Sequence, residues 1–137
     1  MDWGHVSQMN VAMALWGCLS AADIDLWDHH LEQLLVLFVT EYQRCGGPAI
    51  SVPELKLHLQ LYIAIMGLTW LLDVPALLQS HIPDLAELKD RFDPRLKANE
   101  TLRVRLQMMS TFLHLWQTHD FGRALDQLIR NNHATQE

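Results

Sequence analysis

The chain has 137 residues, half of them hydrophobic, so it is long enough for one domain and too apolar to be disordered. Its net charge is −6. The first fifty positions hold six acids and one arginine, which argues against non-specific nucleic-acid binding because that binding depends on Lys and Arg. Leu is abundant, whereas the strand-forming Val, Ile and Thr are comparatively few, and this balance favours helices.

The two cysteines and the N-terminus indicate a reducing compartment. Cys18 and Cys45 lie in apolar helical patterns without further Cys or His at metal-binding spacing. This predicts reduced core thiols and neither a disulfide nor a zinc site. The first residues contain no basic segment followed by an apolar one, so we expect no secretory signal and a cytoplasmic protein.

The first third of the chain predicts two helices. Asn10 is a suitable N-cap for a short helix, because apolar residues recur at helical spacing after it. Ser20-Ala-Ala-Asp23 has capping-box spacing and predicts the start of a long helix to Arg44, which Gly46-Gly47 would end. One apolar stripe is expected on that helix, made of Trp27, Leu31, Leu34, Leu35, Phe38 and Tyr42.

The most apolar stretch predicts a central helix. Ser51-Val-Pro-Glu54 is a capping box, and from Leu61 to Leu72 only Gly67 and Thr69 interrupt the apolar run. This predicts a central helix over residues 53–72. The run from Leu61 to Leu72 has no polar face, so we expect it to be surrounded on all sides. The run itself would extend only ~18 Å, short of the ~30 Å of a bilayer, so no membrane span is expected.

Prolines divide the second half of the chain. Pro75 and Pro83 predict short helices over 76–80 and 84–91. Asp93-Pro94 then opens the last long helix.

The long helix carries a predicted break at Asn99, and Asp120 is a suitable cap for a final helix. The predicted apolar stripe of the long helix, which would pack on the central helix, is Leu102, Leu106, Met109, Leu113 and Trp116, widened by Met108, Phe112 and Leu115. We therefore expect one all-α domain, residues 1–137, of about six helices around the central one. Replacing Ile63 or Trp70 of that helix by Ala is expected to cost about 2–5 kcal/mol.

Few side chains are spaced for chemistry. Asp25, Asp28 and His29 stand at i, i+3 and i+4, which can bring metal ligands to one side of a helix. Acids in a first helical turn also complement the helix dipole, and this second interpretation is favoured. His114 and His119 lack a third ligand at metal-binding spacing. We predict no catalytic and no nucleotide-binding residue, because no hydrolase, metalloprotease or phosphate-loop motif is present.

One short motif suggests an activity. Asp2-Trp3-Gly4 sets a carboxylate before a glycine turn and a helical domain. The tripeptide resembles the metal-binding Asp segment of the aminoglycoside phosphotransferase and choline-kinase-like family. The segments Glu41-Tyr-Gln-Arg-Cys-Gly-Gly47 and Trp70-Leu-Leu72 are similar to that family's helical lobe. The resemblance implies the substrate-binding helical part of an ATP-dependent small-molecule phosphotransferase, with Asp2 as a magnesium ligand and Mg and ATP as cofactors.

The same resemblance implies an N-terminal kinase portion that these residues do not contain. The family carries a nucleotide lobe and a catalytic His-x-Asp loop upstream, and Asn10 stands where the family has Asp. Phosphoryl transfer requires nucleotide, metal and acceptor to be positioned together, so the isolated chain is expected to be inactive. The alternative is a non-catalytic helical interaction module that self-associates or binds a protein partner.

Both hypotheses predict a homodimer through the first helix. Without kinase elements to cover them, the apolar side chains around that helix would be bare, and contiguous apolar patches are usually covered. A two-fold dimer is the commonest cover. The expected patch comprises Trp3, Val6, Met9, Met13 and Trp16.

Overall fold

A computed structural model of the protein describes residues 10–90 and 92–134. Every regular element within these ranges is helical, which confirms the predicted all-α single domain. Two short segments are not α-helical, a π-helical turn (Gly67–Leu71, called the π-turn) and a 3-10 turn (Leu85–Glu87). The α-helices are α1 (Val11–Leu19), α2 (Ile24–His29), α3 (Leu31–Arg44), α4 (Val52–Met66), α5 (Val74–His81), α6 (Pro94–Lys97), α7 (Glu100–Thr118) and α8 (Phe121–Ala134).

Three predicted N-caps are confirmed. The Asn10 side chain accepts a hydrogen bond from the Ala12 N–H at 2.8 Å and begins α1. Ser51 Oγ accepts from the Glu54 N–H at 3.3 Å and begins α4. The Asp120 carboxylate accepts a backbone N–H of the first turn of α8 at 2.9 Å. Each cap satisfies a donor that the first helical turn leaves without an internal partner.

The predicted long helix over residues 20–44 is wrong, because the chain forms two helices there. Asp23, and not Ser20, precedes the first of them. His30 leaves helical geometry, with φ −122° and ψ −8°, so α3 starts in a new direction. Both helices then bury apolar residues of the predicted stripe, namely Trp27, Leu31 and Leu35.

The second half is more broken than predicted. The helix expected over 84–91 is reduced to the 3-10 turn. Asn99 breaks the long helix as predicted, and its side chain accepts from the Leu102 N–H at 3.2 Å to cap α7. The predicted stripe of α7 is partly correct: Leu102, Phe112 and Leu115 are buried, whereas Leu113 and Trp116 are exposed. The buried side of α7 is formed by Leu102, Thr111, Phe112 and Leu115.

The central helix is α4, which contacts α1, α3, α7 and α8. Along α4 and the π-turn, five buried positions recur every fourth residue, and Leu57 is buried beside this series. The five are Leu55, Leu59, Ile63, Gly67 and Leu71. A four-residue spacing drifts around an α-helix of 3.6 residues per turn. The wider π-turn, with its i→i+5 hydrogen bonds, reduces that drift. It therefore keeps the last two positions of the series turned towards the core.

Gly67 allows close contact between the π-turn and α7. A Cβ at this position would lie 2.0 Å from the Phe112 ring, so only glycine fits. Two residues further on, Thr69 Oγ1 donates to the Ile65 carbonyl at 2.8 Å. The two interruptions in the apolar run thus belong to the π-turn itself.

The prediction that the whole apolar run is surrounded is wrong. Its C-terminal half exposes 49–67% of each of three side chains, Leu68, Trp70 and Leu72, and Ile65 is 58% exposed. Because the helical stretch Val52–His81 is nearly continuous, its length and composition suffice to cross a membrane, and only 28% of its most apolar window is buried. The length argument taken from the sequence therefore does not hold.

The cysteines are also placed differently from the prediction. Cys18 and Cys45 are both exposed thiols, and the prediction of core thiols is wrong. On α1, Ala12, Leu15 and Trp16 face the core, which leaves Cys18 on the outer side of the helix.

Candidate functional site

The predicted magnesium ligand Asp2 lies outside the described residues, together with Trp3 and Gly4. The structure thus neither supports nor opposes the phosphotransferase resemblance at its motif.

The acidic and histidine side chains on α2 do not converge. Asp28 bonds Nε2 of His114 on α7 at 2.8 Å. Asp25 instead pairs with His29 at 3.1 Å, and both side chains are more than two-thirds exposed. Across the described part of the chain, no three Asp, Glu, His or Cys side chains come together to hold a metal ion. The Asp25–His29 pair is therefore a contact within α2, and the Asp28–His114 pair is a contact between α2 and α7.

A shallow polar pocket of about 330 Å³ lies beside the Asp28–His114 pair, between α2, α3, α4 and the end of α7. His119 lines it, with Nδ1 3.5 Å from Nε2 of Gln60. Burial lowers the pKa of His119, and the nearby Lys56 ammonium lowers it further. The imidazole is therefore neutral at neutral pH.

The charged and hydroxyl groups of this pocket are already paired. Lys56 forms an ion pair with Glu32 of α3, and Thr118 donates its hydroxyl to the His114 carbonyl at 2.9 Å. Trp27 also lines the pocket, and its Nε1 is buried without a hydrogen-bond partner among the described residues. No Ser or Cys lines this pocket. The polar side chains of this pocket therefore connect neighbouring helices and do not form a nucleophile positioned beside a base.

The second candidate is an apolar groove between α1, the central helix and α7. We call it the α1 groove. It has a volume of about 430 Å³ and no charged residue in its lining. Met13 and Trp70 are exposed at its edges, by 39% and 67%. The side chains that define the groove are Met13, Trp16, Tyr62, Met66, Trp70 and Met108.

The α1 groove continues along α7 into a more polar groove of about 580 Å³. The two share Trp70, Leu71, Val104 and Met108. At the far end, Arg105 of α7 lies 3.7 Å from the Asp73 carboxylate. The combined surface thus has an apolar part beside α1 and a charged end beside Asp73.

The outer side of α1 is unusual for a surface helix. No charged residue occurs from Val11 to Ala22, although exposed helix faces normally carry charged and polar side chains. The exposed positions are small or apolar, and they are Met13, Ala14, Gly17, Cys18 and Ala21. This side of the protein is consequently apolar both on the helix and in the groove beside it.

The predicted bare patch at the first helix is only partly correct. Met13 is exposed as predicted, but Trp16 is 4% exposed and belongs to the core. Trp3, Val6 and Met9 lie outside the described residues. Sequence reasoning missed Trp70 as a surface residue. The available signal was the pair Gly67 and Thr69, which interrupts the apolar run just before it.

Comparison with known proteins identifies no relative: no family profile matches the chain, and no match is found among curated proteins or among solved structures.

Proposed function

We propose that this protein is a non-catalytic helical interaction module that binds an apolar protein segment in the α1 groove. The observation that carries the proposal is the indole of Trp70, 67% exposed beside an uncharged groove. Apolar surface gains about 25 cal/mol per Å² on leaving water. Trp is also among the side chains that most often dominate the binding energy of protein interfaces.

The chemistry of the groove suits a helical partner. Its sides are helices, and an amphipathic helix can lay its apolar face into such a groove. Three of its lining residues are methionines, Met13, Met66 and Met108. Met side chains are flexible and polarizable, so they adapt to the shape of a bound segment.

Site-specific photo-crosslinking tests the proposal. A photoreactive amino acid at Met13 is expected to form a discrete protein crosslink that Gly17→Lys removes, because the lysine places a charge beside the groove. The same photoreactive residue at Val36, which is 53% exposed on α3, is the matched control and should form none. Equal crosslinking at both positions, or none at Met13, would contradict the proposal.

The phosphotransferase hypothesis stays a prediction that rests on the resemblance of Asp2-Trp3-Gly4. For the isolated chain we expect calorimetry with Mg-ATP to show no binding tighter than the millimolar range, about −4 kcal/mol. A micromolar dissociation constant that Asp2→Ala abolishes would favour the phosphotransferase instead.

A further inference from the structure

We propose that the partner in the α1 groove is a second copy of this chain, in a two-fold dimer where Trp70 of each copy enters the groove of the other. The inference rests on the proposed function and specifies its partner.

The shape of this face suits self-pairing. A two-fold interface uses the same patch on both copies, so that patch must be complementary to itself. Here one face carries both a projecting side chain, Trp70, and a groove of about 430 Å³ directly beside it. The outer side of α1 adds small residues, Ala14, Gly17 and Cys18, which permit close approach of a second helix. A projection and a cavity on one face are what self-pairing requires.

The distribution of charge also favours a second copy. Each copy has a net charge of −6, and like charges repel, so two copies associate most favourably where the surface is uncharged. The α1 groove and the segment Val11–Ala22 contain no charged residue. An anionic membrane is a weaker candidate, because binding to its surface relies on Lys and Arg and the groove lining contains neither.

The area of this face is compatible with a dimer interface. A stable interface typically buries about 800 Å² on each partner. Two-fold symmetry buries Trp70 once on each copy, and an aromatic side chain contributes about 150–250 Å². The α1 groove, its extension of about 580 Å³ along α7 and the outer side of α1 provide further surface on the same face.

Light scattering coupled to size exclusion tests the dimer. The chain is expected to have twice the 15.8 kDa mass of one copy at micromolar concentration. Gly17→Lys should raise the dissociation constant at least about tenfold. A Cβ at Gly17 meets no atom within 4 Å in its own chain, and Lys is a better helix former than Gly, so the variant should fold. Val36→Lys, on exposed α3 surface, should remain dimeric.

A chemical crosslink locates the interface independently. Cys18 lies on the outer side of α1, whereas Cys45 follows α3. A short bismaleimide is therefore expected to join two copies of Cys45→Ser, which retains Cys18, and not two copies of Cys18→Ser. Trp70→Lys should abolish the crosslink, since it removes the projecting side chain.

Each other outcome overturns the inference in a distinct way. A dimer with a micromolar dissociation constant would be formed at about 100 µM. A monodisperse monomer at that concentration therefore excludes the dimer. A dimer unaffected by Gly17→Lys and Trp70→Lys places the interface elsewhere. If the protein is a monomer that binds phosphatidylcholine–phosphatidylserine vesicles, and Gly17→Lys abolishes this binding, the face binds a membrane. A monomer whose Met13 photo-crosslinks only to a different protein retains the interaction module without self-pairing.

Discussion

The two halves of the central helix, α4 and the π-turn, are both rich in apolar residues and differ in environment. In α4, the side chains of Leu55, Leu59 and Ile63 are at most 3% exposed, because helices of the same chain cover that part of the helix. In the π-turn, only Gly67 and Leu71 are buried. The neighbouring Trp70 is more exposed than any other large hydrophobic residue in the part of the chain described by the structure.

The difference shows that apolar composition predicts burial only in one direction. Core positions are apolar, but much of any protein surface is apolar as well. Ile65, Leu68 and Leu72 recur at i, i+3 and i+7 and so share one side of the helix, whereas Trp70 lines the α1 groove. The exposed half therefore presents surface that a partner can cover, and the packed half stabilises the domain.

The largest expected effect contrasts Ile63 with Trp70. Ile63→Ala should cost about 2–5 kcal/mol of unfolding free energy through lost burial and a cavity. The sequence predicts the same cost for Trp70→Ala, but its exposure reduces the expected change to within about 0.5 kcal/mol. Chemical denaturation in a Gly17→Lys background, which excludes any dimer contribution, measures both. Equal losses would show that the two halves are packed alike.

A smaller effect is expected from two glycines, Gly67 in the π-turn and Gly17 on α1. Gly67→Ala should destabilise by about 1–3 kcal/mol, because the new methyl group overpacks against Phe112, a ring that is 2% exposed. Gly17→Ala meets open space and should stabilise α1 by roughly 0.8–1 kcal/mol. Chemical denaturation of the two variants and the wild type in the same buffer measures both changes in unfolding free energy. A neutral Gly67→Ala would mean that the π-turn relaxes to ordinary helix.

Local signals predicted the helix starts, because caps such as Asn10, Ser51 and Asp120 act through the nearest backbone groups. Exposure was harder to predict, since it depends on which helices meet. The π-turn changes which side chains of the helix face the core. It depends on the fit of Gly67 against Phe112, 45 residues away in the chain, so no local sequence pattern predicts it. The Asp28–His114 pair is likewise a contact between separate helices, although each residue was noticed alone.

The polar pairs beside the packed half should matter less than its apolar core. A double-mutant cycle with Asp28→Asn and His114→Gln is expected to give a coupling of about 0.2–1 kcal/mol, because the two side chains remain 34% and 25% exposed. Asp25 and His29, at 76% and 68% exposure, form the matched control and should couple less. A coupling well above this range would instead indicate a functional role for the polar pocket.

The smallest expected effect is the pH dependence that comes from His119. Its pKa in the folded protein is lowered by burial and then by Lys56, while the unfolded chain keeps a value near 6.5. Above that value both states are neutral, so the group does not change stability. As pH falls through about 6.5, the unfolded chain takes up the proton first, and stability decreases until the pH passes the lower folded pKa. His119→Gln should therefore lose less unfolding free energy than the wild type between about pH 7 and pH 5. Lys56→Met should give a pH dependence of the unfolding free energy between those of the wild type and His119→Gln. This variant removes the contribution of Lys56 to the lowered pKa and leaves the contribution of burial. A His119→Gln slope as steep as that of the wild type would show that other groups control acid stability beside the packed half.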